Sequence, residues 1–136
     1  MHNILLVEDN FTDAQLMHEV FKMIRVQPEV THVEDGEQAI NFLFKQGKYA
    51  KVDSPSLVIL DLNIPRKSGR EVLREIKTHE KFKSIPVAIL SNSSSPADLE
   101  ICREFERCHY FSKPANFREF IETVKNILNF AAGRPA

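Results

Sequence analysis

Residues 57–60, Leu-Val-Ile-Leu, are apolar without a break and run directly into Asp61. A strand with one face in water alternates apolar and polar side chains. A run with no polar relief suits a strand covered on both faces, as in a parallel sheet with helices on either side. Asp61 then stands at the C-terminal end of that strand, the edge where open α/β sheets bind ligands. Pro65 and Gly69 interrupt the chain before the next helix can start. Capping that helix is the plain alternative role for Asp61, and the rest of the chain decides between the two.

Asn3–Val7 is a second unbroken apolar strand, and it ends on Glu8-Asp9. Thr12 with Gln15 has the spacing of a capping box, so a helix is expected to open there. Its apolar stripe is Leu16, Val20 and Ile24, flanked by Met17 and Phe21, and Gln27-Pro28 closes it. Glu29–Val33 alternates, as a strand nearer a sheet edge should. Asp35 with Gln38 caps a helix carrying Ala39, Ile40, Leu43 and Phe44, with Gly47 at its end.

Residues 47–56 read as a polar surface loop. Ser68 with Glu71 forms another capping box, followed by Val72, Leu73 and Ile76. Pro86–Leu90 is a fourth strand, ending at Ser91. Ser95 as cap and Pro96 in the first turn open a helix through Leu99, Cys102 and Phe105. His109–Phe111 is a fifth strand leading to Lys113-Pro114. Asn116 caps a last helix with Phe117, Phe120, Ile121, Val124, Ile127 and Leu128 on one stripe.

Five strands alternating with five helices predict an α/β fold. Right-handed crossovers leave few topologies, among them a flavodoxin-like (βα)5 domain with a parallel sheet in the order 2-1-3-4-5. We expect one domain over residues 1–130, a short tail over 131–136 and no output domain. A net charge of −1 provides no bulk attraction for nucleic acid or a membrane surface. No apolar run reaches the length of a membrane span and no signal peptide is visible, so a cytoplasmic location is expected. Cys102 and Cys108 lack the spacing of a redox motif and read as reduced thiols.

In such a sheet all strand C-termini share one edge. Glu8, Asp9, Asp61, Ser91 and Lys113 would converge there. Two like charges about 4 Å apart repel by about 4 kcal/mol at an effective dielectric near 20, and one lysine cannot neutralise three acids. A divalent cation answers the excess, and an all-oxygen donor set favours Mg²⁺ over zinc. Mg²⁺ commonly shares its shell with phosphate, which points to phosphoryl chemistry. Asp61 is then the nucleophile, Lys113 a clamp on the equatorial phosphoryl oxygens, and Ser91 a hydrogen-bond partner for one of them. The carboxylates should titrate as a coupled set, with at least one pKa raised when no metal is bound.

This constellation resembles the receiver domain of bacterial response regulators, the CheY-like family, over nearly the whole chain. The family's acidic pair matches Glu8-Asp9, its phosphoacceptor Asp61, its hydroxyl residue Ser91, and its Lys-Pro pair Lys113-Pro114. The resemblance implies that the Asn63 backbone carbonyl joins Glu8, Asp9 and Asp61 around Mg²⁺, with Glu8 acting through water. It implies a cis Lys113–Pro114 bond. It implies a switch in which Ser91 moves toward the phosphoryl group and Tyr110 fills the vacated space. The change would be read on the face of the fourth helix, fifth strand and fifth helix. Asn63 and Ser93 would tune the lifetime of the phosphoryl group.

The loop over 47–56 and the segment from Leu60 to Leu73 further resemble receivers partnered with phytochrome-type histidine kinases. The implied function is a phosphorylation switch with no separate substrate turnover, acting by contact with a downstream protein. Phe117, Arg118, Phe120 and Phe130, on or near the last helix, are the residues to test for a homodimer contact.

Other uses of an aspartate at this position fit less well. A haloacid-dehalogenase phosphatase needs a second acid two residues after its nucleophile, and Asn63 cannot protonate a leaving group. A flavodoxin needs a phosphate-binding loop after the first strand, where Glu8-Asp9 has the wrong charge. A receiver-like module that binds partners without phosphorylation is the remaining alternative.

Overall fold

The computed structural model describes residues 3–24, 28–93 and 95–133. Five strands, β1 (Asn3–Val7), β2 (Glu29–Val33), β3 (Leu57–Leu60), β4 (Val87–Ser91) and β5 (Cys108–Ser112), pair in parallel in the order β2-β1-β3-β4-β5. The helices are α1 (Phe11–Met23), α2 (Gly36–Leu43), α3 (Gly69–Thr78), α4 (Pro96–Leu99) and α5 (Phe117–Ala131). This is the doubly wound order expected from the strand and helix pattern.

The unbroken apolar runs now have a cause. Leu5, Val7, Val58 and Leu60 pack on one face of the sheet with Ala39, Val72 and Ile76 of α2 and α3. Ile4, Leu6, Leu57 and Ile59 pack on the other with Met17 and Val20 of α1 and Val124 and Ile127 of α5. Each such side chain contributes roughly 1.5–3 kcal/mol by leaving water. That burial holds the central strands, and so fixes where they end.

Local signals mostly predict the helix starts. Asp35, Ser68, Ser95 and Asn116 each cap the helix they precede, and Ser68 and Glu71 complete a reciprocal capping box. The first helix differs. Its cap is Asn10, whose side chain accepts the Asp13 N–H, while Thr12 lies within the first turn. Both residue types cap well, but Asn10 has the extended backbone a cap requires, at φ −83° and ψ 112°. The same helix stops at Met23, with Ile24 already extended, before the expected Gln27-Pro28 end. Gln27 lies outside the described residues.

Further corrections concern ends and loops. α2 is closed by Lys45 at φ +56°, not by Gly47. The Lys45 N–H donates to the Phe42 carbonyl and the Gln46 N–H to the Asn41 carbonyl, the paired bonds of a Schellman motif. Ala39 and Leu43 are buried as expected and Ile40 packs against the core, but Phe42 is buried with them, while Phe44 is the C-cap and is exposed. The loop after it contains a 3-10 turn over Gly47–Tyr49.

α4 is a single turn, continued by a 3-10 turn over Ile101–Glu104, so Cys102 and Phe105 fall outside it and Leu99 is exposed. Cys102 and Cys108 are joined as a disulfide, not held as thiols: that 3-10 turn brings their Cα atoms to 5.1 Å. The Lys113–Pro114 bond is trans. Of the aromatic residues suggested for a dimer, Phe120 belongs to the core while Phe117 is exposed.

Candidate functional site

Hydrogen bonding between strands runs one residue past the strand ends and pins the main chain of the reactive residues. The Asp61 N–H donates to the Val7 carbonyl (3.1 Å), the Glu8 N–H to the Val33 carbonyl (3.0 Å) and the Lys113 N–H to the Ser91 carbonyl (2.9 Å). The start of α3 is pressed against the same edge. A Cβ on Gly69 would sit 2.2 Å from the Asp61 carbonyl oxygen, so no larger residue fits there without movement. The Asn63 N–H donates to Asp61 Oδ1 (3.0 Å), which leaves Asp61 Oδ2 for the centre of the site.

Lys113 occupies that centre. Its Nζ lies 2.8 Å from Asp61 Oδ2, 2.9 Å from Glu8 Oε1 and 2.7 Å from Asp13 Oδ2, one acid for each N–H the ammonium carries. The side chains of Lys113, Asp61 and Glu8 are almost fully buried, while Asp13 is partly open to water. Glu8 is held from its far side too, where Oε2 accepts the Asn10 N–H (3.1 Å).

Burial works against the charge on Lys113, yet its bonds to Asp13, Asp61 and Glu8 outweigh that cost and hold its pKa above the usual lysine value. Glu8 moves the other way for a carboxylate. Loss of solvation is the main reason it rises to about 7; repulsion from Asp61 adds to the rise, and Lys113 opposes it. One raised carboxylate was expected from mutual repulsion. The acid is indeed raised, but burial contributes more than the neighbouring charge.

Glu8, Asp9 and Asp61 each place a carboxylate oxygen within 4.8 Å of the others, with Asp9 exposed at the mouth of the cluster. Glu8, Asp13 and Asp61 meet the one ammonium group, and Asp9 adds a fourth carboxylate beside Glu8 and Asp61. That excess of negative oxygen donors fits a hard divalent cation, the partner such a cluster selects.

The remaining expected residues stand one step away. Ser91 is wholly buried at the end of β4, and its Oγ accepts the Ser93 N–H (3.4 Å). Tyr110, half-buried on β5, donates its hydroxyl to the Ser93 carbonyl (2.5 Å). Ser91 and Tyr110 thus both meet Ser93, and Tyr110 also meets the Ser91 hydroxyl. Asp13 was not anticipated. With Asn10 as cap it is the third helical residue, and only the true start of α1 could have revealed that it faces the sheet edge.

Comparisons with known proteins bear on the family and the fold. A family model described as the response regulator receiver domain matches residues 4–125. Response regulator Rcp1 of Synechocystis sp. is 39% identical over 127 residues, spanning 93% of this chain and 86% of its own. The probable methanogenesis regulatory protein FilR2 of Methanothrix harundinacea is 34% identical, over 96% of this chain and 83% of its own. Among solved structures, the phosphorylated cyanobacterial phytochrome response regulator RcpA superposes with a TM-score of 0.88 at 40% identity, over 96% of this chain and 94% of that one. The Mn²⁺-bound form of Rcp1 does so at 0.87 and 39%, with the same coverage.

Proposed function

The chain belongs to the response regulator receiver family, and from that premise we propose that Asp61 is the phosphoacceptor of a two-component phosphorelay. The observation that carries this is Lys113 Nζ held 2.8 Å from Asp61 Oδ2, within an acid cluster suited to a divalent cation. An Asp61 carboxylate oxygen bonds to phosphorus as the phosphorus–nitrogen bond to a kinase histidine breaks. Lys113 then compensates charge on the phosphoryl oxygens, exchanging one acid contact for another. Water later cleaves the acyl phosphate, releasing inorganic phosphate and restoring Asp61.

The carboxylates of Asp9 and Asp61 and the backbone carbonyl of Asn63 would hold Mg²⁺, with Glu8 acting through water, and the ion would neutralise charge on the transferring group. Asn63 and Ser93 flank the approach of the hydrolytic water and tune how long the phosphoryl group lasts. Ser91 turns toward a phosphoryl oxygen, and through Ser93 the movement reaches Tyr110 and the face formed by α4, β5 and α5. The domain is thus a signalling switch that shifts between two packings, and it passes the signal by protein contact.

The similarity to Rcp1 and to RcpA, a phytochrome response regulator, supports a sensor histidine kinase of the phytochrome type as the donor. No helix among the described residues is long and apolar enough to cross a membrane, which is compatible with work in the cytoplasm. Phe117 and Arg118, exposed at the start of α5, are the residues offered for a homodimer contact.

Incubation with MgCl₂ and acetyl phosphate, followed by intact mass measurement, tests the reading. One added phosphoryl group, lost in Asp61→Asn, is expected. An unmodified protein under conditions that label a control receiver would overturn it and favour a module that binds without phosphorylation. Sedimentation with and without the phosphodonor tests the dimer, and a monomer unchanged at high concentration would exclude it.

A further inference from the structure

The segment that joins Ser91 to Tyr110 is anchored from outside the acid cluster. Ser93 Oγ donates to Asp98 Oδ2 (2.5 Å), and the Asp98 N–H donates to Ser95 Oγ (3.2 Å). Asp98 is a buried carboxylate, and it is met by Arg70 of α3 in a two-point contact. Nε bonds Oδ1 at 2.8 Å and Nη2 bonds Oδ2. A planar guanidinium on a carboxylate in this arrangement fixes direction as well as charge. Arg70 in turn follows Gly69, the residue pressed on the main chain of Asp61.

These contacts form one chain of restraint. Arg70 holds Asp98, Asp98 holds the Ser93 side chain, the Ser93 N–H reaches Ser91 Oγ, and the Ser93 carbonyl takes the Tyr110 hydroxyl. Ser91 Oγ cannot turn toward Asp61 without giving up the Ser93 N–H. Tyr110 cannot leave its present position without giving up the Ser93 carbonyl. Both movements give up a bond to Ser93, the residue that Asp98 and Arg70 hold in place.

We propose that Arg70 and Asp98 form a latch that holds Ser91, Ser93 and Tyr110 in the unphosphorylated arrangement, and so act as positioning residues that set the response to a phosphoryl group on Asp61. The inference rests on Asp61 being the phosphoacceptor. Two packings differing by a modest free energy are biased in opposite directions, by the ion pair and by the phosphoryl oxygens. Weakening the pair moves the population toward the phosphorylated packing before any phosphoryl group arrives.

The chain has no tryptophan and two tyrosines, so in a Tyr49→Phe background Tyr110 is the sole tyrosine emitter. In that background we expect acetyl phosphate to change Tyr110 emission. Asp98→Asn and Arg70→Met should take most of that changed value without phosphodonor, and should be labelled about fivefold faster or more. Arg70→Lys, which keeps charge but not the two-point contact, should fall between. Emission and labelling rate equal to the background in both Asp98→Asn and Arg70→Met would overturn the latch. Should Asp98→Asn not fold, Arg70→Met decides alone. If the background protein gains no phosphoryl mass, the phosphoacceptor reading fails on its own. The latch is then judged by whether the variants shift Tyr110 emission without phosphodonor.

Discussion

Two buried lysines, at opposite edges of the sheet, each make three hydrogen bonds, and the difference between their partners separates a reactive site from a structural one. Lys113 gives its three N–H groups to Asp61, Glu8 and Asp13. Lys77, on α3, gives its own to the backbone carbonyls of Lys83 (3.1 Å), Ile85 (2.7 Å) and Arg107 (3.1 Å), where β4 and β5 begin. Carbonyl dipoles satisfy the donors of Lys77 but do not repay the lost solvation of its charge, and burial pulls its pKa down to about 8. The acids around Lys113 push its pKa up and leave negative charge to spare. Geometry is alike at the two ends; only one of them holds charge that a ligand could settle.

The largest expected effect comes from breaking the charged end. Lys113→Met should lower stability by about 3 kcal/mol near pH 8, because three acids lose their common partner in a buried setting. Millimolar MgCl₂ should restore much of that loss by taking the place of the ammonium charge. Urea denaturation with MgCl₂ and with EDTA measures both. A loss that MgCl₂ leaves untouched would mean the acid cluster is not a cation site and would remove the contrast with Lys77.

The legibility of these two ends differs for a physical reason. Glu8, Asp61 and Lys113 follow strand runs, and in a parallel sheet the topology alone brings strand ends together, so their meeting could be read from the chain. Asp13 depends on which of two good cap residues starts α1, a competition that local spacing does not decide. Arg70 with Asp98, and Lys77 with its carbonyls, are contacts between elements 28 and up to 30 residues apart that no periodicity encodes. One signal for Lys77 was present: it directly follows Ile76 and lies four residues after Leu73, on the stripe α3 buries. A lysine there must either snorkel to water or find partners inside. Phe44 was misplaced for a different reason: α2 ends at Leu43, so Phe44 stands at the cap and Phe42 takes the buried place beside Ala39 and Leu43.

The second effect is a pH dependence confined to the charged end. Glu8 titrates at about 7 in the folded chain against an ordinary value of 4.5, so between these the native state binds more protons than the unfolded one. Its contribution is therefore fully present below pH 4.5, falls as pH rises, and is lost above about 7. The difference in unfolding free energy between the native sequence and Glu8→Gln, measured from pH 4.5 to 8 in EDTA, should follow that fall and then level. A flat difference would show that burial does not hold the Glu8 proton. MgCl₂ should weaken the slope by favouring the ionised acid.

The smallest effect tests the structural end. Lys77→Met removes the donor shared by three carbonyls, but the Arg107 carbonyl keeps a bond from the Val87 N–H at 2.9 Å, so not every acceptor is orphaned. A loss of about 1–3 kcal/mol is expected, unaffected by MgCl₂. The sign of its pH dependence is opposite to that of Glu8. With a folded pKa of about 8 against 10.5 unfolded, the unfolded chain binds more protons in that interval, so the native sequence gains stability as pH rises through it. Lys77→Met lacks this gain, and its deficit relative to the native sequence should widen from pH 8 to pH 10. If the deficit instead stays constant, Lys77 keeps its charge at little cost, and the carbonyls of one edge solvate an ammonium group as well as the acids of the other.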